Sequence, residues 1–188
     1  MSFVCHQCGK VHEGLSFAFS ADAPAYYYGI PESLRDSTAV LLPEQCIIGD
    51  DSFFVRGCLD VPIIGSSEVF SWGIWVSLSQ QNFERMAEMS EIAGRESEPA
   101  YYGWLSTQLP FYPDTLSLKA AVHTRPIGQR PFVELEAAEH PLAIEQRTGI
   151  TGERARQLAE LLEHQTPPCS DPEELDSKGL PWWRFFWK

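Results

Sequence analysis

Val69-Phe70-Ser71-Trp72-Gly73-Ile74-Trp75-Val76-Ser77-Leu78 decides the fold class. Phe70, Trp72, Ile74, Val76 and Leu78 alternate with Ser71, Gly73, Trp75 and Ser77. That period of two belongs to a half-buried strand and not to a helix. Upstream, Gly65-Ser66-Ser67 supplies a turn after Ile63-Ile64, and residues 52–59 carry Phe53, Phe54 and Val55. Gly49-Asp50-Asp51 is a further turn, preceded by the apolar run 45–48. Three strands joined by turns of this chemistry predict an antiparallel meander.

Downstream the period changes. Ser79 reads as an N-cap, with Phe83, Met86 and Met89/Ser90 on one helical face up to Gly94. A polar loop follows, then the aromatic segment Tyr101-Tyr102-Gly103-Trp104-Leu105 and a turn at Pro110 and Pro113. Residues 116–124 and 131–136 read as two more strands, joined at Arg125-Pro126-Ile127-Gly128. Pro141 sits where a helix over 141–147 would start, since proline lacks only an N–H that the first turn leaves free. Thr151 caps a second helix to about His164, with Ala155, Leu158, Ala159 and Leu162 on one face. Residues 13–44 show little regular pattern, apart from an aromatic loop or short strand at Tyr26-Tyr27-Tyr28. The expected fold is α+β: a mostly antiparallel sheet packed by two or three helices, in a single domain over residues 1–165.

The strongest chemical signal lies at the start. Cys5-His6-Gln7-Cys8-Gly9 is a tight turn that aims two sulfurs at one centre, and glycine lets backbone N–H groups approach the thiolates. Closed zinc sites take four ligands. Cys46 is the best further thiol because it begins a strand, and His12 is the most local nitrogen donor. The expected structural zinc site is therefore Cys5, Cys8, His12 and Cys46, with His140 as rival for the fourth place. A thioredoxin-like redox pair would start a helix after a strand. Gly9-Lys10-Val11 reads instead as a turn into a hairpin.

Composition bounds the partners. The 188 residues are 44% hydrophobic and 12% aromatic, which places the chain among folded globular proteins. Asp and Glu outnumber Lys and Arg by 26 to 14, for a net charge of -12. That charge repels phosphate backbones, so nucleic acid is not expected as a partner, whereas a basic protein would suit it. Five cysteines, no basic-then-apolar leader and no apolar run of about 18 residues predict a cytoplasmic protein without a membrane span. From Thr166 onward, Pro167-Pro168 and four acidic residues form a spacer to Pro181-Trp182-Trp183-Arg184-Phe185-Phe186-Trp187-Lys188. Rings of this size bury 150–250 Å² each, at roughly 25 cal/mol per Å². The tail over 166–188 is expected to dock on its own molecule, on a second copy or on a protein partner.

Taken together, the segments resemble a bacterial family known as a domain of unknown function, number 2199. The resemblance rests on Phe3-x-Cys5-x-x-Cys8-Gly9-x-x-His12, Cys46, Phe53-Phe54-Val55-Arg56-Gly57 and Phe70-x-Trp72-Gly73-x-Trp75-Val76-Ser77-Leu78. Gly103-Trp104-Leu105, Tyr112-Pro113-x-Thr115-Leu116-x-Leu118-Lys119, Arg130-Pro131 and His140-Pro141-Leu142-Ala143-x-Glu145-Gln146 complete it, so that it spans residues 3 to about 164. It implies that Cys5, Cys8, His12, Cys46 and His140 belong to a shared framework and that Cys58 and Cys169 are incidental. It implies no activity.

Other candidates carry less. Arg56 lies among strand residues, suited to an ion pair or an anionic ligand. Glu134, Glu136 and Glu139 near His140 supply the residue types of a metal hydrolase, but no His-Glu-x-x-His spacing, nucleophile elbow, phosphate loop or dinucleotide fingerprint is present. Glu134 and Glu136 share one face of a strand, as solvated residues do. The function expected is a zinc-stabilised binding or interaction protein. A toxin-neutralising immunity protein and a zinc hydrolase are the competing classes.

Overall fold

The structure is a computed structural model that describes residues 2–4, 11–13, 16–136 and 138–165. The chain divides into two compact units, Phe17–Gly152 and Met1–Ser16 with Glu153–Lys188. In the latter, strands β1 (Ser2–Val4) and β2 (Val11–Glu13) pair antiparallel, Phe3 opposite His12. The two strands pair as the arms of a hairpin do, while the turn expected at Gly9-Lys10 lies outside the described residues.

The larger unit begins with β3 (Ala18–Ser20), helix α1 (Ala25–Tyr28), a 3-10 turn over Glu32–Leu34 and helix α2 (Arg35–Thr38). The tyrosine run expected to be a loop or strand is thus helical. Pro24 stands at its N-cap, and the turn closes with the Tyr27 N–H donating to the Pro24 carbonyl at 3.0 Å. Strands β4 (Ala39–Leu41), β5 (Gln45–Ile48), β6 (Ser52–Pro62) and β7 (Val69–Leu78) follow as consecutive antiparallel neighbours. The meander stands as the sequence predicts, with β7 at the predicted limits.

Helix α3 (Gln80–Glu88) starts where the Ser79 hydroxyl accepts from the Asn82 N–H at 3.3 Å. It ends short of Gly94, whose backbone is left-handed. Strands β8 (Tyr101–Leu105), β9 (Lys119–His123) and β10 (Phe132–Leu135) lead to helix α4 (Pro141–Thr148). Helix α5 (Gly152–Gln165) is the last described element, and it buries Ala155, Leu158, Ala159 and Leu162, the predicted stripe. The architecture is α+β with a mostly antiparallel sheet.

The sheet carries two parallel pairings that the local pattern did not announce. β3 lies parallel beside β7, and β10 meets β6 in parallel at one residue pair, Phe132 with Cys58. Because β6 also pairs with β7, and β7 leads through β8 and β9 to β10, five strands form a hydrogen-bonded ring. The face inside the ring is the core: Val55, Leu59, Phe70, Trp72, Ile74, Val76, Tyr101, Leu105, Val122, Val133 and Leu135 are all buried. Gly57 is needed for the closure, because a Cβ there would stand 2.6 Å from Val133 Cγ2 and 3.1 Å from the Pro131 carbonyl oxygen.

The ring's short parallel contact is completed by a side chain. Odd-numbered residues of β10 turn their backbone groups away from β9. There the Leu135 N–H donates to Gln146 Oε1 at 2.8 Å, and Gln146 Nε2 donates to the Val133 carbonyl at 2.7 Å. The Gln146 amide on α4 acts as a one-residue strand. On the sheet's other face, Trp75 falls in the polar phase of the alternation yet is fully buried. It is covered by Cys46 and Phe54, with Ala21, Tyr27 and Ile48 packed around them.

Candidate functional site

Of the proposed zinc ligands, Cys5 and Cys8 lie outside the described residues, and His12 is placed by its backbone in β2. Cys46 is described in full. It sits on β5 opposite Phe54, fully buried in the apolar cluster around Trp75. Burial pushes its thiol up to about 11. Among the described residues no three His, Cys, Asp or Glu side chains gather closely enough to hold a metal.

The raised Cys46 thiol has a consequence for the metal-free protein. An unfolded cysteine ionises near 8.5, so the folded state gains stability that is complete below that pH and is lost as pH rises towards about 11. The loss amounts to about 3 kcal/mol at the upper end. Urea unfolding of chelator-treated protein at stepped pH is expected to show this alkaline loss relative to Cys46→Ala. Parallel alkaline slopes in the two proteins would rule it out.

His140 is the N-cap of α4. Its Nδ1 accepts from the Leu142 N–H at 3.2 Å, while Nε2 is buried without a partner among the described residues. That bond ties the imidazole to the first turn of α4. Glu134 and Glu136 point to the outer face of the sheet, and Glu139 is exposed near the N-cap. The residues considered for hydrolysis are thus dispersed among separate partners. Arg56 packs its guanidinium 5.7 Å over the Trp75 ring, donating from Nη2 to Ser20 Oγ at 2.5 Å and from Nη1 to the Pro43 carbonyl at 3.2 Å. These bonds tie β3 and the turn before β5 to β6, while the Arg56 Nε is buried without a partner among the described residues.

A surface that the sequence reading did not single out gathers more chemistry. On the outer face of β8, β9 and β10, residue pairing sets up successive rows. Trp104 lies opposite Lys119, whose carbonyl accepts from the Glu136 N–H. Tyr102 lies opposite Ala121, which faces Glu134. His123 lies opposite Phe132. Ala121, the only small side chain among these, forms the floor of a shallow trough of about 530 Å³. Tyr102 is 75% exposed and Trp104 49% exposed. Across the trough, Lys119 Nζ stands 3.4 Å from Glu136 Oε2, and His123 Nε2 stands 3.1 Å from Glu134 Oε2.

The trough is held from behind. Tyr101, one residue before Tyr102, is buried and donates its hydroxyl to Glu98 Oε2 at 3.1 Å. Glu98 is gripped by Arg85 of α3 through two hydrogen bonds of 2.9 and 3.1 Å, which hold its carboxyl below the usual range. Arg95 donates to the carbonyls of Ser90, Arg125, Pro126 and Gln129, fixing the loop between β9 and β10. The signal for this surface was available in the sequence: Tyr102 and Trp104 are two apart on a strand and share a face opposite Tyr101 and Leu105.

An α+β fold closed by a five-strand ring, with one aromatic-walled trough on its outer face, is the class these observations define. The chain belongs to the family described as uncharacterized protein conserved in bacteria, DUF2199, whose model matches residues 4–150. The match stops before α5, whereas the motif resemblance was expected to run to about residue 164. No curated protein matches the chain. No solved structure matches it. No helix among the described residues is long and apolar enough to cross a membrane.

Proposed function

We propose that the chain is a zinc-stabilised binding protein of the cytoplasm that presents the outer face of β8, β9 and β10 to a partner. The carrying observation is the pair of large exposed rings, Tyr102 and Trp104, beside the Ala121 floor on a face braced from beneath. Aromatic side chains that a fold holds in water supply contact area at low ordering cost, and they are enriched where proteins bind. In vivo crosslinking with a photoreactive amino acid at Tyr102 tests this, with the exposed Ile92 as the comparison position. Discrete adducts are expected from position 102 alone. Adducts from neither position, or equally from both, would remove the reading.

The zinc is proposed on Cys5, Cys8, His12 and Cys46, a donor set of the kind that closes structural sites. When bound it would keep the Cys46 sulfur deprotonated. Elemental analysis is expected to find about one zinc per chain, and none in Cys5→Ser or Cys46→Ser. Metal-free wild-type protein would end the zinc proposal. If Cys46→Ser keeps its zinc and only melts earlier, Cys46 is a packing residue and the ligand set is wrong.

A further inference from the structure

We propose that the trough over Ala121 takes an arginine or lysine side chain presented by an extended basic segment of a partner protein. This rests on the outer face of β8, β9 and β10 being a binding face, and it names the chemistry of what binds there.

Three observations converge. The first is the make-up of the walls. Two exposed rings, Tyr102 and Trp104, form one side, and the carboxylates of Glu134 and Glu136 form the other. An aromatic face opposite a carboxylate is the setting a side-chain cation prefers, since the ring attracts it by its quadrupole and the carboxylate by charge-assisted hydrogen bonds. The second is the state of the carboxylates. Each is engaged by one partner, through Oε2, at the solvent-exposed rim. Exposed pairs of this kind hold weakly and exchange partners readily.

The third is the use this chain makes of four of its other rings. Arg35 lies 5.2 Å over Tyr27 and 5.9 Å over Tyr28, Arg56 lies 5.7 Å over Trp75, and Arg125 lies 5.3 Å over Phe132. Phe132 is in the row next to Tyr102. Among the described residues Tyr102 and Trp104 carry no such cation, although they lie on the same face. The net charge of -12 completes the case, because it steers a basic segment towards the protein and repels an acidic one. Anionic partners and a second copy of the same acidic chain are disfavoured by the same term.

Fluorescence polarisation with a labelled hexa-arginine peptide, at about 0.15 M salt, tests the proposal with the full-length protein. Trp104→Ala and the double variant Glu134→Gln/Glu136→Gln are each expected to weaken binding by about tenfold, with unchanged melting temperatures. Glu32→Gln/Glu91→Gln removes the same charge from exposed positions outside the trough and is expected to change binding by less than about twofold. Labelled hexa-glutamate and cellohexaose are expected not to bind. Equal weakening by the two double variants would show diffuse charge attraction and overturn the proposal. So would wild-type affinity in Trp104→Ala, binding of cellohexaose without hexa-arginine, or a dimer in light scattering that Trp104→Ala dissolves. Any of these results alongside position-102 crosslinks would leave the binding face standing and remove only its cationic ligand.

Discussion

Gly103→Ala is expected to cost the fold about 3 kcal/mol or more, a large part of the 5–15 kcal/mol typical of a whole domain. A Cβ at this position would lie 2.0 Å from the Ser77 carbonyl oxygen and 2.9 Å from both Leu78 Cδ2 and Val76 Cγ1. The nearest of these atoms is backbone, fixed by pairing between β7 and β8, so no rotamer change relieves the contact. The strands must separate, and the core face of the ring opens with them. For a chain of this length the melting temperature should fall by about 6–12 °C. Thermal unfolding followed by circular dichroism checks it. A variant within 2 °C of wild type, by about the same scale, would mean that β7 and β8 are spaced more widely than described.

Gln146→Leu should be nearly as damaging for the opposite reason, since it removes bonds without introducing a clash. It keeps the bulk of the side chain but leaves the Leu135 N–H and the Val133 carbonyl unpaired where water does not reach. Each such orphan costs about 1–3 kcal/mol. A loss of about 2–4 kcal/mol in urea unfolding is expected. Gln146→Glu should not rescue it, because a carboxylate can accept from Leu135 but has nothing to donate to Val133, and it brings a charge into the interior. Wild-type stability in Gln146→Leu would show that the ring is closed without the side chain.

What the sequence disclosed was whatever is local. The alternation over 69–78, the Ser79 cap, Pro141 at the head of α4 and the stripe on α5 each come from one segment's own periodicity, and each stands in the structure. Trp75 shows the limit. Its phase in the alternation assigned it to the polar face, but Cys46 and Phe54, brought over it by the meander, bury it. The parallel contact between Cys58 and Phe132 has no signature at all, since one residue pair separated by most of the sheet leaves no period to read. Gln146 was named only within the motif that carries the resemblance and its role was silent, because a glutamine on a helix reads as a surface residue until the strand edge beside it is known. The trough was half legible. Tyr102 and Trp104 share a strand face by parity, whereas the row that sets Ala121 between Tyr102 and Glu134 depends on the register of three strands.

The ring that Gln146 completes also imposes an order on synthesis. A ribosome delivers the N-terminal strands first, and a growing chain that has reached β10 still lacks the amide that satisfies its outer edge. Until α4 emerges, the edges of β6 and β10 are raw hydrogen-bonding templates, the feature by which nascent sheets recruit one another. The closing pair, Cys58 with Phe132, joins residues far apart in the chain, so the closure that Gln146 completes forms late, because it costs the most loop entropy. In refolding kinetics Gln146→Leu is accordingly expected to quicken unfolding while leaving the folding rate almost untouched. A slowed folding limb would instead place the latch in the nucleus, and would make this one side chain the gatekeeper of the chain's escape from aggregation.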